Sequence, residues 1–493
     1  MNETVNRHDS DIAIGDRVCF TCRFSDEILQ NFSRLGGDGV FLFPILGGTA
    51  PLQRNTMPVH FISLPLSAIA GMMLPGYRFL DVDCHIHAVH PAFYDQEVTY
   101  SARVVGKDDL SRTIMLRTIA FHQTRLFFTA QHAFRVMEEL PRAWAPHGGQ
   151  DRFIPRTSGV RTVLITGVRG GIGSAMALYL AGKGFNLVVT SRPEPNIADE
   201  AIIQRCREYG ITVEWIAADL GGGTEGWMSL VERIAHGGDI TDLIHVASPP
   251  VHASACELLH VNYVALKTLS EALLPHILAR QEGQILMLGS SAVQSIPEGW
   301  EDYTAAKAAA SHYIAGLNDR FGTCGFIGWV LAPGRVNTGF IKEWHHPDTP
   351  SLQPEQIAEA AYALLCGQHG TDGGYLWLEP QIPERLGRFG FYDSEMRASL
   401  EPDRSARSSP SVGTVQETDI DGLFRQFFKL TSSDNIASAR VGESLYWDSL
   451  RHIEFMLFLE KNMGLTFSSK DIDRTKRYLD LVSLIAEKRK SES

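Results

Sequence analysis

The sequence predicts three unequal domains in series: an α+β domain, a doubly wound parallel α/β domain and a small all-α bundle. Three observations carry that reading. The first 140 residues hold one apolar helix-like run followed by long alternating runs. The middle alternates buried strands with helices and opens on a glycine-rich turn, and a Ser/Pro/Arg/Glu-rich segment isolates the C-terminal part. At roughly 150 residues per domain, a chain of 493 residues calls for about three separate cores.

Charge and cysteine usage exclude several classes of function. With 45 Lys+Arg against 57 Asp+Glu the formal charge is −12. Nothing then draws the chain as a whole to phosphate backbones or anionic lipid, so neither a nucleic-acid partner nor a membrane is expected. The seven cysteines, Cys19, Cys22, Cys84, Cys206, Cys256, Cys324 and Cys366, cannot all pair, which fits a reducing, cytoplasmic setting. Cys19-Phe-Thr-Cys22 has the spacing of a redox or half-zinc motif, but no second such pair follows. A strand carrying two cysteines accounts for it, and no metal site is expected. The N-terminus is polar, and the apolar stretch 61–74 contains Pro65 and falls short of the about 20 residues a membrane span needs.

The first domain, residues 1–140, starts with a strand-like run over 16–24 and a helix-like run over 25–35. An apolar helix over 61–74 follows, stopped by Pro75-Gly76. Alternating runs at 78–90, 96–105, 113–122 and 126–136 then predict an antiparallel sheet. Gly37-Asp38, the helix after Met57-Pro-Val-His60, the Leu74-Pro-Gly76 stop and the His90-Pro-Ala-Phe-Tyr-Asp95 turn make residues 16–137 resemble the MaoC-like hotdog family of hydratases and dehydratases. The resemblance implies a catalytic His shortly after the Gly-Asp pair, moving a proton and water together with the Asp. Here Gly37-Asp38 runs on through Gly-Val40-Phe41-Leu42-Phe43. Phe43 stands where the His is expected, and a phenyl ring transfers no proton. The expectation is therefore a domain without dehydratase activity, retained as an acyl-binding or docking surface. His60 reads as a partly buried, hydrogen-bonded histidine, and His85 with His87 as structural.

A Pro- and Gly-rich linker over 141–160 leads to the second domain, 161–390. It opens on Arg161-Thr-Val-Leu-Ile-Thr166, a buried parallel-strand run, then Gly167-Val-Arg-Gly-Gly171-Ile-Gly173 and a small-residue helix over 174–181. Glycines between strand and helix let backbone amides approach a pyrophosphate at the helix N-terminus. Strands over 186–190, 213–217 and 243–246, with helices between them, extend the parallel sheet. Downstream come Ser290, Tyr303 and, four positions later, Lys307. Residues four apart share a helix face, so the ammonium is placed near the phenol. With Asp219-Leu220, Asn262 in Val261-Asn-Tyr-Val-Ala, and Pro333-Gly334-Arg-Val-Asn-Thr338, this set resembles the short-chain dehydrogenase/reductase family, of 3-oxoacyl ketoreductase type and Rossmann-type fold, over 161 to about 380.

That resemblance implies a role for each residue. Tyr303 gives a proton to the substrate carbonyl oxygen as hydride arrives, its usual pKa of about 10 lowered by Lys307 and the cofactor. Ser290 holds the same oxygen, Lys307 also binds the nicotinamide ribose, and Asn262 holds a water of the proton relay. Gly167, Gly171, Ile172, Gly173, Asp219 and Leu220 join Tyr303 and Lys307 in binding the dinucleotide. Ser191 and Arg192 follow the second strand where NAD users place an acidic residue. A hydroxyl and a guanidinium suit a 2′-phosphate, so NADP(H) is the expected cofactor. Arg169 is placed equally for phosphate or for solvent. His245-Val-Ala-Ser248 departs from the family's usual Asn-Asn-Ala-Gly and is similar to polyketide synthase ketoreductases.

A linker over 391–417 contains Arg404-Ser-Ala-Arg-Ser-Ser-Pro-Ser-Val and precedes the third domain, 418–493. A helix over 420–430 and a loop over 431–446 lead to Trp447-Asp448-Ser449-Leu450. Leu450, Ile453 and Leu457 then form an apolar stripe broadened by Phe455 and Phe458, and Phe467, Ile472 and a helix over 479–488 complete a bundle. This domain resembles an acyl carrier protein. The resemblance implies 4′-phosphopantetheine on the Ser449 hydroxyl, its phosphodiester meeting unpaired amides at a helix N-terminus. The basic tail Lys488-Arg-Lys490 departs from the strongly acidic surface of many members.

Together the resemblances imply NADPH-dependent reduction of a 3-oxoacyl thioester to 3-hydroxyacyl on the Ser449 arm, in fatty-acid or polyketide-type biosynthesis. A condensing enzyme, an acyl-loading enzyme and a phosphopantetheinyl transferase are then partners in trans, and a homo-oligomer is expected by analogy. Three other readings stand: a bifunctional ketoreductase/dehydratase giving an enoyl thioester, an acyl-delivery scaffold with a vestigial reductase, and an alcohol dehydrogenase oxidising a free metabolite.

Overall fold

The computed structural model describes residues 9–24, 56–137 except 58, 75–78 and 94, 153–154, 159–339 except 195–196 and 223, 350–387 except 381, and 420–428 with scattered positions from 455 to 488. The chain divides into two units, Met1–Asp393 and Ser394–Ser493. The first two domains expected from the sequence thus pack as one body.

Strands β1 (Arg17–Arg23), β2 (Phe79–Ala88), β3 (Glu97–Asp108), β4 (Thr113–His122), β5 (Arg125–Val136) and β6 (Phe153–Ile154) form a six-stranded antiparallel sheet in the order β2-β5-β4-β3-β1-β6. Alternation puts Tyr100, Ala102 and Val104 of β3, Leu116 of β4 and Phe128 and Phe134 of β5 on the buried face. Against it pack Phe61, Ile62, Leu66, Ile69 and Leu74. The sequence reads these as one helix, but the segment breaks into Val59–Ile62, Pro65–Ala68 and a wider turn, Ile69–Met73. Pro65 is the cause, because it lacks the N–H that would continue the first turn and is suited to start the next one. The two-residue β6 lies inside the stretch read as a linker and pairs with Arg17 and Val18. His60 is exposed, not half-buried as expected, because it sits on the outer side of a single turn. Cys19 and Cys22 form no disulfide and lie three apart on β1, which sends them to opposite faces of the strand. Gly37, Asp38, Phe43 and the 25–35 run lie outside the described residues.

The second sheet comprises β7 (Thr162–Thr166), β8 (Asn186–Ser191), β9 (Val213–Ala217), β10 (Ile240–His245), β11 (Gly283–Leu288), β12 (Phe326–Pro333), β13 (Gly374–Glu379) and β14 (Ile382–Gly387). Their order is β9-β8-β7-β10-β11-β12-β13-β14, parallel throughout except for the last pair. Its helices are α1 (Gly171–Gly182), α2 (Ile197–Arg207), α3 (Met228–Gly237), α4 (Ala255–Leu259), α5 (Leu266–Arg280), α6 (Glu301–Phe321) and α7 (Pro354–Leu365). Ala177 and Leu180 of α1, Cys206 of α2 and Ile357 and Leu364 of α7 share one core with Val163, Ile165 and Val189. Helix α5 packs against α3 and α6. Strands β7 and β11 are buried at every position, as a sheet covered on both faces requires. Chain order reverses between β7 and β10, so the carboxyl ends of those two strands flank a crevice where open α/β sheets bind ligands.

The two sheets are joined at the C-terminus of α5. Gln281 caps that helix in the left-handed region (φ 51) and is buried. Its amide donates to the carbonyls of Ser101 (2.8 Å) and Arg117 (2.9 Å) and accepts from Arg117 Nε at 2.7 Å. Arg103 donates to the Arg280 carbonyl at 2.9 Å and pairs with Glu282 at 2.6 Å. Two cations of the first sheet thus meet the carbonyl end of a helix, where positive charge is favourable.

In the C-terminal unit, α8 (Ile420–Phe428) buries Phe424 edge-on to Phe455 and Tyr478, with centroids 5.2 and 4.7 Å away. Met456, Leu459, Leu481, Leu484 and Ile485 complete this core. Ser449, Asp448, Leu450, Ile453 and Leu457 lie outside the described residues. Among the described residues no helix is long and apolar enough to cross a membrane.

Candidate active site

The site grows from the turn after β7. Gly167 has φ +74, a conformation that glycine tolerates best, and a Cβ there would stand 2.8 Å from the Ala247 Cα. At Gly173 a Cβ would stand 2.3 Å from the Gly167 carbonyl oxygen, so α1 closes onto its strand only because that residue has no side chain. Gly170 is the N-cap and supplies no side-chain hydrogen bond, which leaves the first amides of α1, at Gly171 and Ile172, without a side-chain cap. A Cβ on Gly171 would stand 3.0 Å from Thr338 Cγ2, which places the Pro333-to-Thr338 loop beside the turn. A cradle that any Cβ would fill, edged by unpaired amides, fits a dinucleotide pyrophosphate. Gly173→Ala is expected to weaken NADPH binding at least tenfold and to cost about 1–3 kcal/mol of stability, measured by fluorescence titration and chemical denaturation. Unchanged affinity would contradict this reading of the turn.

His245 closes the neighbouring strand and is buried. The Thr166 hydroxyl accepts from the amides of Val246 (3.1 Å) and Ala247 (3.2 Å), so its own proton points to His245 Nδ1, 3.1 Å away. Nε2 then carries the imidazole proton and donates to the Val261 carbonyl at 2.9 Å, tying the sheet to the residue before Asn262. Burial, with the nearby Lys307 charge adding to it, holds the His245 pKa down at about 3. A base with a depressed folded pKa stays neutral in the fold while the unfolded chain takes up a proton. The folded state therefore loses stability as pH falls from about 6.5 toward 3. His245→Asn is expected to flatten that part of the acid-stability curve by a few kcal/mol, read from denaturation midpoints between pH 7 and 4.

The adenosine side departs from the sequence reading. Ser191, expected on a 2′-phosphate, is buried; it donates to Asp199 at 2.6 Å and accepts from Trp215 Nε1 at 2.9 Å. The indole and carboxylate that flank it occupy the hydroxyl. Arg169 is likewise engaged, with Asp199 at 2.8 Å and the carbonyls of Arg192 and Glu194 at 3.0 and 2.8 Å. Arg192, the residue after Ser191, is exposed. After β9, Asp219 accepts from the Gly221 amide at 3.2 Å and Leu220 is buried.

Tyr303 lies in the first turn of α6, buried, with its hydroxyl hydrogen-bonded to Ser290. Ser290 follows β11, and its Oγ accepts from the Ala292 amide at 3.2 Å. One turn along α6, the Lys307 ammonium is 5.8 Å from the Tyr303 ring centre and donates to the Leu288 carbonyl at 2.7 Å. That carbonyl was not legible as a site group. Asn262 lies in a wide turn, His260–Ala265, between α4 and α5; its Nδ2 donates to the Leu258 carbonyl at 2.9 Å and its buried Oδ1 has no protein donor. Helix α6 packs on the turn that carries Asn262, and Ser290, Tyr303 and Lys307 lie together at its N-terminal end.

The electrostatics correct one expectation. Burial pushes Tyr303 up to about 12, the Ser290 hydrogen bond working against it, and burial brings Lys307 down to about 7. Desolvation dominates both groups, so the phenol lies above its ordinary value although Lys307 stands one turn away. Tyr303 thus keeps its proton throughout the neutral range, the state needed to donate it. Beside the phenol, Val251, Leu258 and Ala306 with Ala253 and Trp300 make an apolar wall, the indole 5.5 Å from the Tyr303 ring centre. Sequence reasoning missed this wall, although Trp300, one helical turn before Tyr303, is its signal.

Residues 161–348 match the family described as short chain dehydrogenase. "Uncharacterized oxidoreductase YmfI" of Bacillus subtilis (strain 168) is 26% identical over 227 residues, 42% of this chain and 91% of that protein. "Very-long-chain 3-oxooacyl-coA reductase let-767" of Caenorhabditis briggsae is 27% identical over 244 residues, 46% of this chain and 76% of that protein. A crystal structure of a 3-oxoacyl (acyl-carrier-protein) reductase from Agrobacterium tumefaciens C58 with NADP bound is 25% identical, covers 44% of this chain and 93% of its own, and superposes with a TM-score of 0.41. With its glycine turn, its Ser290, Tyr303 and Lys307 cluster and the family match over residues 161–348, the chain carries a short-chain dehydrogenase domain and is an NAD(P)-dependent oxidoreductase.

Proposed function

We propose that the enzyme reduces a 3-oxoacyl thioester to its 3-hydroxyacyl product with NADPH, the acyl group riding on a phosphopantetheine arm at Ser449. The observation that carries the reading is the buried Tyr303 phenol, hydrogen-bonded to Ser290 beside the Lys307 ammonium and facing an apolar wall. Ser290 orients the ketone oxygen, and Tyr303 donates the proton that oxygen takes up. Lys307 supplies positive charge beneath the phenol, and Asn262 stands where the proton is replaced from solvent. Bound NADPH supplies the hydride. Arg192 favours the 2′-phosphate form of the cofactor. The 3-oxoacyl substrate class is supported by the name of the nematode relative.

On this reading the C-terminal unit is the carrier, with tethering raising the local substrate concentration to about millimolar. The N-terminal α+β domain is the hotdog-like docking surface. A condensing enzyme, an acyl-loading enzyme and a phosphopantetheinyl transferase act in trans. The test is treatment of the full chain with a phosphopantetheinyl transferase and a 3-oxoacyl donor, followed by NADPH oxidation. Turnover of the loaded chain that Ser449→Ala abolishes is expected. Turnover unaffected by Ser449→Ala would leave a reductase acting on free thioesters.

A further inference from the structure

Asp199 lies in the first turn of α2 and is only 4% exposed. Its carboxylate gathers the two side chains of this region whose types suit a 2′-phosphate. Arg169 reaches Oδ2 through Nη2 at 2.8 Å and through Nε at 3.2 Å, and the Ser191 hydroxyl donates to the same oxygen at 2.6 Å. A hydroxyl has one proton, and Trp215 Nε1 already donates to the Ser191 oxygen at 2.9 Å, so Ser191 donates to nothing else while Asp199 holds it. Arg169 is fixed further by the carbonyls of Arg192 and Glu194 at 3.0 and 2.8 Å and by the Glu194 carboxylate, 3.6 Å from Nη1. A carboxylate in the first turn of a helix is stabilised by the amides there, so the cluster is self-sufficient without a ligand.

We propose that Asp199 is a resident substitute for the 2′-phosphate and sets how strongly this chain discriminates NADPH from NADH. This role rests on NADPH being the working cofactor, as proposed above, and is independent of the acyl group and of Ser449. Carboxylate and phosphate are both anionic acceptors and call on the same donors. For a 2′-phosphate to gain Ser191 and Arg169, Asp199 has to release them, and a buried carboxylate stripped of its donors is costly. Sharing the guanidinium is no escape, because the two anions then repel one another at short range. A ribose 2′-hydroxyl carries no charge and meets no such repulsion, so the charge of Asp199 acts against NADPH and not against NADH. Discrimination is a difference of two affinities, and a repulsive element aimed at one ligand lowers it. The wild-type preference for NADPH is therefore expected to be small and to rise when the Asp199 charge is removed.

Equilibrium binding reads this subsite without catalysis. The full chain is titrated with NADPH and NADH, and with adenosine 2′,5′-bisphosphate and adenosine 5′-monophosphate, by calorimetry. Asp199→Asn keeps the side-chain shape and an acceptor for Ser191 and removes the charge. It is expected to bind NADPH and the bisphosphate about tenfold more tightly, with NADH and the monophosphate changed by no more than about twofold. Asp199→Ser, a residue type that helices accept at their N-terminus, is expected to give the same gain, so a folding defect in one variant does not decide the outcome. Adding Arg169→Ala to Asp199→Asn is expected to abolish the gain, because the released guanidinium is what the phosphate acquires. Unchanged NADPH affinity in both Asp199 variants, or equal tightening of NADPH and NADH, would overturn the role of Asp199 and leave NADPH as the cofactor. Wild type binding NADH more tightly than NADPH, with Asp199→Asn reversing that order, would uphold the role of Asp199 and overturn NADPH as the working cofactor.

Discussion

Tyr303→Phe is expected to lower turnover by about 10²–10⁴-fold while NADPH binding changes by no more than a few-fold. The substitution removes one oxygen from a buried ring that packs against Trp300 and Val251, so shape and apolar contacts remain. What disappears is the proton donor and the hydrogen bond to Ser290. The loss therefore belongs in kcat, not KM, because the proton moves only in the transition state. Burial keeps the wild-type phenol protonated up to about pH 12. Reduction is accordingly expected to show no alkaline limb from this residue near neutrality, whereas the reverse oxidation, which needs the phenolate, accelerates as pH rises.

The second large effect separates function from stability. Lys307 is buried, and its pKa falls from 10.5 to about 7. The folded chain thus binds this proton less tightly than the unfolded one, so stability rises with pH between about 7 and 10.5, and the cost of the buried charge is greatest at and below pH 7. Lys307→Met removes that cost, on the order of a few kcal/mol, and forfeits the hydrogen bond to the Leu288 carbonyl, about 1 kcal/mol. The variant is expected to be catalytically dead, by at least about 10²-fold, yet more stable than wild type at pH 7. Its advantage is expected to shrink as the pH approaches 10. Denaturation midpoints of the two proteins at pH 7 and pH 10 check this, and a variant less stable at both would show that the ammonium is better solvated than its burial implies.

Much of the reductase was legible because its signals are local. Gly167 and Gly173 announce backbone geometry that only glycine fits, and the spacing of Tyr303 and Lys307 is one helical turn. Strands β7 and β8 follow from the apolar runs Val163-Leu-Ile165 and Leu187-Val-Val189, which a doubly covered sheet demands. What escaped was set by tertiary packing. Ser191 has the residue type suited to a phosphate, but its direction is decided by Asp199 and Trp215, eight and twenty-four positions away. The Leu288 carbonyl that holds Lys307 has no residue-type signature at all. Nor does the pKa of Tyr303, which depends on how completely the site is dried and not on which cation stands nearby. In the first domain Pro65 did announce the break in the apolar run, and the pull of a continuous hydrophobic pattern outweighed it in the reading. The joint at Gln281 was illegible because a polar residue at a helix end is ordinarily solvated; here the second sheet partner is 180 positions away.

The proposed reduction acts on a carrier-borne ketone. Its most direct test is intact-protein mass spectrometry of the holo chain loaded with a 3-oxoacyl group, before and after NADPH. Gain of the mass of two hydrogens on the Ser449 arm, matched by NADPH consumed and lost in Tyr303→Phe, is the predicted result. An unchanged acyl mass while NADPH is consumed, or conversion that persists in Tyr303→Phe, would contradict it.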